Sequence, residues 1–414
     1  MAVDAGDTSW MLTATAFVLF MTLPGLAMFY GGLVRASNVL SVFFQCFTIT
    51  CVSSLLWVTV GYSLAFGNGG ESQWIIGSLD KLFMNGVVTE SISDAAPTIP
   101  ETVFIMFQMT FAVITPSLIA GAYPERVKYE GCTVFSALWL LVVYVPVTHW
   151  IWGGGWLAEM GVMDFAGGIV VHCTAGWSGL MFSHMIGIRH GFPTHLPPPH
   201  QPVMTLAGAA MLWVGWFGFN AGSALTAGTS AGMAMLVTHA SAAAASLSWS
   251  ITQYFQDGRP TSVGIVTGMV SGLAAVTPAS GFIGPVGGVY LGIVAGVGCE
   301  LMTKVVKDKF LIDDSIDVFA VHGFGGMLGA FLLAILAHPQ IQGLGDPTQP
   351  YDMWGKLQVQ GIAIVAVSAY SCIATTVIYW VAEKTVGVRV SARDEMTGLD
   401  PTSLGERAYS HLER

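Results

Sequence analysis

Residues 164–176, DFAGGIVVHCTAG, place a carboxylate and a histidine in a segment that is otherwise apolar. Asp164 begins this run, and His172 follows eight positions later. At a helical rise of about 1.5 Å per residue, the histidine lies about 12 Å deeper than the acid, which is near the middle of a hydrocarbon layer about 30 Å thick. Ionisable residues are costly at that depth and usually have a function. The segment therefore predicts a membrane helix with a polar site inside it.

The composition of the whole chain agrees with a membrane protein. Of its 414 residues, 53% are hydrophobic and only 10% are charged, whereas soluble domains carry about 25% charged residues. Apolar runs long enough to cross a bilayer as helices recur along the chain, whereas a transmembrane barrel would show alternating strands of about ten residues. We therefore expect an all-α polytopic membrane protein. No basic leader precedes the first span, so no cleaved signal peptide is expected.

Apolar runs separated by turn-forming residues predict eleven membrane-spanning helices. The predicted spans cover residues 9–31, 39–66, 100–121, 129–151, 165–188, 202–223, 227–254, 261–279, 284–304, 318–337 and 356–384. No soluble domain interrupts them. The predicted domains are therefore a transmembrane domain over residues 1–384 and a charged, cytoplasmic regulatory tail over residues 385–414.

The basic residues predict how these helices are oriented in the membrane. Cytoplasmic loops of membrane proteins are enriched in Lys and Arg. Of the 15 Lys and Arg residues, all but Lys81 and Lys356 fall in alternate loops or in the tail. We therefore expect the N-terminus to lie outside the cell and the tail to lie in the cytoplasm.

Residues 317–326, DVFAVHGFGG, repeat the acid-then-histidine pattern from the other face of the membrane. In the predicted topology, Asp317 lies at the cytoplasmic end of the tenth span and His322 lies about 7.5 Å further inward. The two patterns are five helices apart and run in opposite directions. This arrangement is typical of two inverted five-helix repeats with a site at their interface. We therefore expect His172 and His322 to face each other near the centre of the membrane.

Aromatic and hydroxyl residues gather at the outer ends of several predicted spans. These residues are Phe107 and Phe111 in the third span, Trp152 in the fourth, and Phe219 and Ser223 in the sixth. Single aromatic residues at this depth usually form an interfacial belt or pack in the core. However, an aromatic face attracts a desolvated cation, and a hydroxyl can accept a proton from it. The shared depth of Phe107, Trp152 and Ser223 therefore favours a cation site.

Several long motifs connect these observations to a known family. The stretches MFYGGLVRASNVLSV, FGFNAGSAL, DFAGGIVVH and FAVHGFGGMLGA, with GLDPTSLGERAY in the tail, resemble the Amt branch of the ammonium transporter family (Amt/Mep, related to Rh proteins). The resemblance runs almost from end to end. It implies eleven helices in an inverted five-plus-five repeat and a homotrimer with one pore in each subunit. It also implies a location in the plasma membrane or the bacterial inner membrane.

The resemblance implies roles for the outer aromatic residues. Phe107, Trp152 and Ser223 match an outer site that recruits ammonium. Phe107 and Phe219 match a stacked aromatic gate below that site. The third helix contributes both Phe107 and Phe111 to this region, and Phe111 is favoured as the ring that stacks on Phe219.

The resemblance also implies roles for the deeper polar residues. His172 and His322 match a pair of pore histidines. Asp164 matches a buried acid near the outer site, for which a structural and electrostatic role is favoured and direct ligation of ammonium is the alternative. Asp317 is expected to act in the same structural or electrostatic way at the other face, and Thr277 matches a position in the vestibule.

The expected function is transport of ammonium or ammonia, and of methylammonium. Desolvation can lower the pKa of a buried lysine ammonium by about 3–5, so an ammonium ion at a dry aromatic gate should lose its proton. Ammonia would then pass along the two histidines, which can share a proton and form hydrogen bonds with it.

Two other functions remain open from the sequence. One is an ammonium sensor that signals through the tail to a PII-type signal protein. The other is an Rh-like channel for a neutral gas, although such a solute would not need a cation site. The chain shows no catalytic triad, phosphate-binding loop or metal-ligand pattern. An enzyme, a cofactor, a metal site and nucleic-acid binding are therefore not expected.

Overall fold

Long helices make up most of the chain in the computed structural model, which describes residues 3–409. Helical segments that follow one another directly, or after a short turn as at residues 152–155, are treated as one helix, and the helices are numbered α1 to α11 in chain order. Their bounds are Ala5–Leu33, Ala36–Phe66, Glu101–Ala122, Tyr129–Glu159, Gly168–Ile186, Pro202–Gly222, Thr229–Asp257, Ser262–Val276, Pro285–Lys309, Phe319–Leu336 and Met353–Thr385.

The helices confirm an all-helical, multi-pass membrane protein. Within residues 3–409, nine of them are long and apolar enough to cross a membrane. The helix α7 has 29 residues but carries many small polar side chains, such as Ser241, Ser246 and Ser248. The helix α8 is apolar but has only 15 residues. The count of eleven spans and their orientation therefore stay predictions.

The segments between the helices are short, except for the one between α2 and α3. This segment contains a small antiparallel pair of strands, Ile92–Ser93 (β1) and Ala96–Pro100 (β2), and β2 leads directly into α3. The end of the bundle that carries this segment is called the outer end, following the predicted orientation. The opposite end is called the cytoplasmic end.

Two helices that run in opposite directions touch through their backbones at the centre of the bundle. Gly176 of α5 lies directly against Gly323 of α10, and a Cβ atom at Gly176 would overlap the backbone nitrogen and Cα atom of Gly323. Small residues at a crossing allow helices to approach this closely. As a result, His172, one turn before Gly176, and His322, the residue directly before Gly323, are brought close together.

The tail packs against the cytoplasmic end and includes a short helix, Ala392–Thr397 (α12). The carboxylate of Asp400 accepts a hydrogen bond from the backbone N–H of Ser41, at 2.8 Å. The carboxylate of Glu395 accepts one from the backbone N–H of His190, at 2.7 Å. These bonds tie the tail to the start of α2 and to the loop between α5 and α6.

Candidate functional site

Two histidines meet in the middle of the bundle, each in a π-helical turn. His172 lies in the turn Gly168–Cys173 of α5, and His322 lies in the turn Phe319–Phe324 of α10. Their Nδ1 atoms are 3.2 Å apart, and the planes of the two rings differ by only 17°. Isolated π-turns within helices are often found at functional sites. A hydrogen bond between two Nδ1 atoms requires one ring to donate and the other to accept, so the pair can share one proton.

Two aromatic rings stack directly above the histidines. The ring centroids of Phe111 and Phe219 are 4.2 Å apart with planes 28° from parallel, and Phe219 lies 6.1 Å from the ring of His172. Phe107 instead meets Phe111 edge to face, at 5.0 Å. Phe111 is therefore the partner of Phe219 in the stack, as the sequence analysis favoured.

A cavity of about 260 Å³ opens above this stack at the outer end. Its lining includes Phe104, Gln108, Phe111, Trp152, Phe165 and Ser223. The hydroxyl of Ser223 donates to the backbone carbonyl of Phe219, at 2.9 Å, which leaves the lone pairs of its oxygen free to accept hydrogen bonds. The cavity therefore combines aromatic faces with a hydrogen-bond acceptor.

Phe107 does not line this cavity, although the sequence analysis placed it in the recruitment site. Its side chain is fully buried and packs against Gly222 of α6. The rings that α3 presents to the cavity are Phe104 and Phe111. Phe107 thus supports Phe111 from behind.

Asp164 connects the outer cavity to the helix that carries His172. Its backbone carbonyl accepts a hydrogen bond from the indole N–H of Trp152, at 2.9 Å. Its carboxylate accepts four hydrogen bonds from the backbone N–H groups of residues 167–170, at 2.6–3.0 Å, with two on each oxygen. A carboxylate is a favourable partner for a helix N-terminus, where these N–H groups lack acceptors within the helix.

The four hydrogen bonds also bear on the possible roles of Asp164. A carboxylate has about four lone-pair positions, and the backbone donors occupy all of them. Burial raises the pKa of Asp164 to about 6, and the same four donors oppose that rise. A carboxylate arranged in this way is suited to holding the backbone and to attracting a cation, and is poorly suited to direct contact with ammonium.

Thr277 lies behind the site and does not reach the described cavity. It is fully buried, and its hydroxyl accepts a hydrogen bond from the indole N–H of Trp216, at 3.0 Å. The ring of Trp216 stacks on His172 with 5.5 Å between centroids. Thr277 therefore orients the tryptophan beside the histidine. The sequence analysis did not single out Trp216, because only its packing against the histidine distinguishes it from other buried tryptophans.

Two acids near the start of α10 have different partners. Asp317 forms an ion pair with Lys307, at 2.7 Å. Asp314 instead accepts a hydrogen bond from the backbone N–H of Phe319, at 2.7 Å, in the first turn of α10. Asp314 precedes His322 by eight residues, the same separation as between Asp164 and His172. Asp314, which the sequence analysis missed, is thus the counterpart of Asp164, and the matched spacing was the signal that could have found it.

A third buried histidine, His149, anchors the outer segment between α2 and α3. Its Nδ1 atom lies 2.8 Å from the carbonyl oxygen of Ala65, and its Nε2 atom lies 2.7 Å from that of Gln73. His149 is three residues before Trp152. The sequence analysis did not single it out, because its partners are backbone atoms of a loop whose path the sequence does not reveal.

Comparisons with known proteins agree along the whole chain. A family model described as Ammonium Transporter Family matches residues 9–409. An ammonium transporter of Aquifex aeolicus is 42% identical over 419 residues, covering 99% of this chain and 94% of the relative. The ammonium transporter Amt1 of Archaeoglobus fulgidus is 41% identical over 409 residues, covering 98% of this chain and 99% of the relative.

Comparisons with solved structures agree with the sequence matches. A protein described as Sensor Amt Protein superposes with a TM-score of 0.88 at 27% identity, covering 96% of this chain and 98% of that protein. Mep2 of Saccharomyces cerevisiae superposes with a TM-score of 0.84 at 30% identity, covering 94% of this chain and 91% of that protein.

Proposed function

The chain belongs to the ammonium transporter family, and from this premise we propose that it moves ammonium across a cell membrane. The observation that carries the proposal is the order of three features along one line. An aromatic cavity with a hydrogen-bond acceptor lies outermost, the stacked rings of Phe111 and Phe219 follow, and the pair His172 and His322 comes last. This order suits a cation that enters, loses a proton and continues as a small neutral molecule.

Recruitment takes place in the outer cavity. The faces of Trp152 and Phe111 attract the cation, and the Ser223 oxygen accepts one of its N–H groups, since the Ser223 hydroxyl hydrogen is already donated to Phe219. The charge of Asp164 favours a cation here without touching it. Phe107 belongs to this site as the ring that holds Phe111 in place.

Deprotonation takes place at the stack of Phe111 and Phe219. Phe111 lines the cavity and stacks on Phe219, and neither ring offers a hydrogen-bond acceptor to replace water. Removal of water disfavours the charged form of an amine, so ammonium transfers its proton to water in the outer cavity at the point where the cavity ends, and ammonia passes between the rings.

Passage beyond the rings depends on His172 and His322. Within residues 3–409, the Nε2 atom of His172 is buried and has no hydrogen-bond partner. This atom can therefore form a hydrogen bond with a passing ammonia molecule. The shared proton between the two Nδ1 atoms keeps the tautomers of the rings complementary to each other.

Replacing Trp152 with leucine is expected to weaken recruitment. A cation over an aromatic face gains about 0.5–2 kcal/mol, so KM for methylammonium should rise about 2- to 30-fold. Uptake of labelled methylammonium at several concentrations measures this change. Trp354→Leu is a matched control, because that tryptophan is exposed at the start of α11. An unchanged KM in Trp152→Leu would contradict the cation site.

Current recording on supported membranes tests the transport function itself. Proteoliposomes are exposed to pulses of ammonium, methylammonium, sodium and potassium, and a parallel fluorescence assay reports changes of internal pH. We expect a signal for ammonium and methylammonium that is absent for the metal cations and for protein-free liposomes. A protein that gives neither a current nor a pH change with ammonium would rule out transport.

Signalling is a second candidate function, and one comparison favours it. The protein described as Sensor Amt Protein matches nearly the whole chain, and the tail here is bound to the cytoplasmic loops through Glu395 and Asp400. A PII-type signal protein is the proposed partner at this face. Pull-down with the full chain and with a chain ending at residue 384, beside the flux assay, separates sensing from transport.

The assembly and the domain division are further proposals. We propose a homotrimer with one pore in each subunit, following the family resemblance. We also propose that residues 1–384 transport the substrate and that residues 385–414 regulate it. Light scattering of the purified protein in detergent measures the first of these, and the flux of the shortened chain measures the second.

A further inference from the structure

A carboxyl group at the cytoplasmic end of α10 is buried but incompletely paired. The side chain of Asp314 is almost fully buried. Its Oδ2 atom accepts the hydrogen bond from the Phe319 N–H, at 2.7 Å. Its Oδ1 atom is also buried and has no hydrogen-bond partner among residues 3–409. Lys307, whose charge acts on Asp314, is paired with Asp317 instead.

The counterpart acid at the outer end is much better satisfied. Asp164 and Asp314 each lie eight residues before a pore histidine, but the oxygens of Asp164 accept four backbone hydrogen bonds. Hydrogen bonds to a carboxylate favour its charged form, whereas burial without them favours the neutral form. The two ends of the pore therefore carry acids in equivalent positions with different tendencies to ionise.

The groups around Asp314 come from several elements. Asp317 lies in the same segment and Lys307 lies at the end of α9. The phenol of Tyr30 approaches from α1, and the guanidinium of Arg126 approaches from the segment after α3. Burial raises the pKa of Asp314 to about 7, and the charge of Asp317 adds to the rise. The backbone donors of Phe319 and Val318 and the charge of Lys307 oppose it.

We propose that Asp314 is a positioning residue that exchanges a proton with the cytoplasm and makes transport depend on cytoplasmic pH. When it is ionised, its bond to the Phe319 N–H is charge-assisted and about twice as strong as in the neutral form. The negative charge also stabilises the N-terminus of α10. The change reaches the pore through α10, because His322 lies in the same π-helical turn as Phe319. The inference rests on the proposed transport function.

The variant Asp314→Asn tests this inference by current recording. The amide is permanently neutral and similar in shape, so it imitates the protonated acid. External pH is held constant while the internal pH of the proteoliposomes is varied from about 5.5 to about 8.5, a range that includes the raised pKa of about 7 of Asp314. We expect the variant to match the wild type at low internal pH and to diverge progressively as the wild-type carboxyl ionises.

A matched control is Asp308→Asn, because Asp308 is an exposed acid in the same cytoplasmic region. It should follow the wild type at every internal pH. A constant ratio between Asp314→Asn and the wild type across the whole range would mean that Asp314 has only a structural role, and it would overturn the proposal. An absence of ammonium current in the wild type would instead count against the transport function.

Thermal unfolding in detergent gives a readout that does not depend on transport. The folded carboxyl binds a proton more tightly than the unfolded one, whose pKa is about 4. Stability from this group is therefore fully present below about pH 4 and is lost as the pH rises towards 7. We expect the Tm of the wild type to fall relative to that of Asp314→Asn over this range. A difference in Tm that does not change with pH would contradict the proposal.

A second variant keeps the test open if Asp314→Asn does not fold. Asp317→Asn removes the like charge beside Asp314 and frees Lys307, and both changes favour ionisation of Asp314. The internal pH at which transport changes should therefore move to a lower value than in the wild type. An unchanged midpoint would show that the pH dependence arises elsewhere.

Discussion

Replacing His172 and His322 together with leucine should abolish wild-type-like uptake of ammonium and methylammonium. The two imidazoles are the polar groups that meet in the centre of the bundle, and ammonia needs hydrogen-bond partners there. A polar group that loses such partners in an apolar medium costs about 2–7 kcal/mol. A barrier higher by about 2 kcal/mol already slows passage about 30-fold.

Labelled methylammonium uptake and ammonium-induced current, measured on the same preparation, test this expectation. The single variants His172→Leu and His322→Leu show whether one imidazole can serve alone. The control is His239→Leu, because His239 is exposed on α7 and stacks on Trp213 away from the pair. Uptake that persists at the wild-type level in the double variant would refute the role of the histidines.

Replacing Asp164 with alanine should produce the largest loss of stability among the site variants. The change removes four charge-assisted hydrogen bonds at the start of α5. Each hydrogen bond to a charged group contributes about 1.5–3 kcal/mol, and because such values are not additive, we expect a total loss of at least about 3 kcal/mol. Chemical unfolding in detergent micelles measures the free energy difference.

Asp164→Asn separates the structural role from the electrostatic one. Its amide oxygen can still accept backbone hydrogen bonds, so the loss of stability should be smaller than in Asp164→Ala. The charge is gone, so the preference of the outer cavity for a cation should weaken and the ammonium current should fall. If the selectivity for ammonium stays intact in this variant, the electrostatic role is wrong. Asp346→Asn, at an exposed acid of an outer loop, is the control for both measurements.

The fold was largely predictable because lipid restricts the secondary structure that a membrane-spanning segment can adopt. Long apolar runs must form helices in order to satisfy their backbone groups in a membrane, and each predicted span contains a helix in the structure. The helix α7 shows the limit of the argument. Its Ser and Ala residues allow close contact with other helices, and they also give α7 a low hydropathy. Length and apolar character alone therefore do not identify α7 as a span.

The site was predictable where depth along a helix determined the answer. The acid-then-histidine pattern entering from each face placed both His172 and His322 inside the membrane, although depths of about 12 Å and about 7.5 Å from opposite faces do not by themselves bring them to one level. Depth did not distinguish Phe107 from Phe111, since the two residues are one turn apart on the same helix. Which ring stacks on Phe219 depends on packing against Gly222, and that contact involves a helix distant in sequence.

The acid that bonds to the start of α10, Asp314, was missed for a different reason. Asp317 is nearer to His322 in sequence, but its backbone has a positive φ of 60°, so the chain turns sharply at this residue. The turn directs the side chain to Lys307 and leaves Asp314 to bond to the helix. Left-handed backbone at a residue other than glycine is uncommon and is not visible in the pattern of residue types.

The contact between Gly176 and Gly323 limits how the two helices that form it can move relative to each other. Carriers of many families work by tilting one half of the molecule over the other, which requires a smooth surface between the halves. Here the two helices that carry His172 and His322 meet backbone to backbone, and a tilt of one past the other would break that contact. For the transport proposed above, this contact predicts that turnover depends on the passage of one small molecule through a stationary path, and not on the frequency of a large conformational cycle.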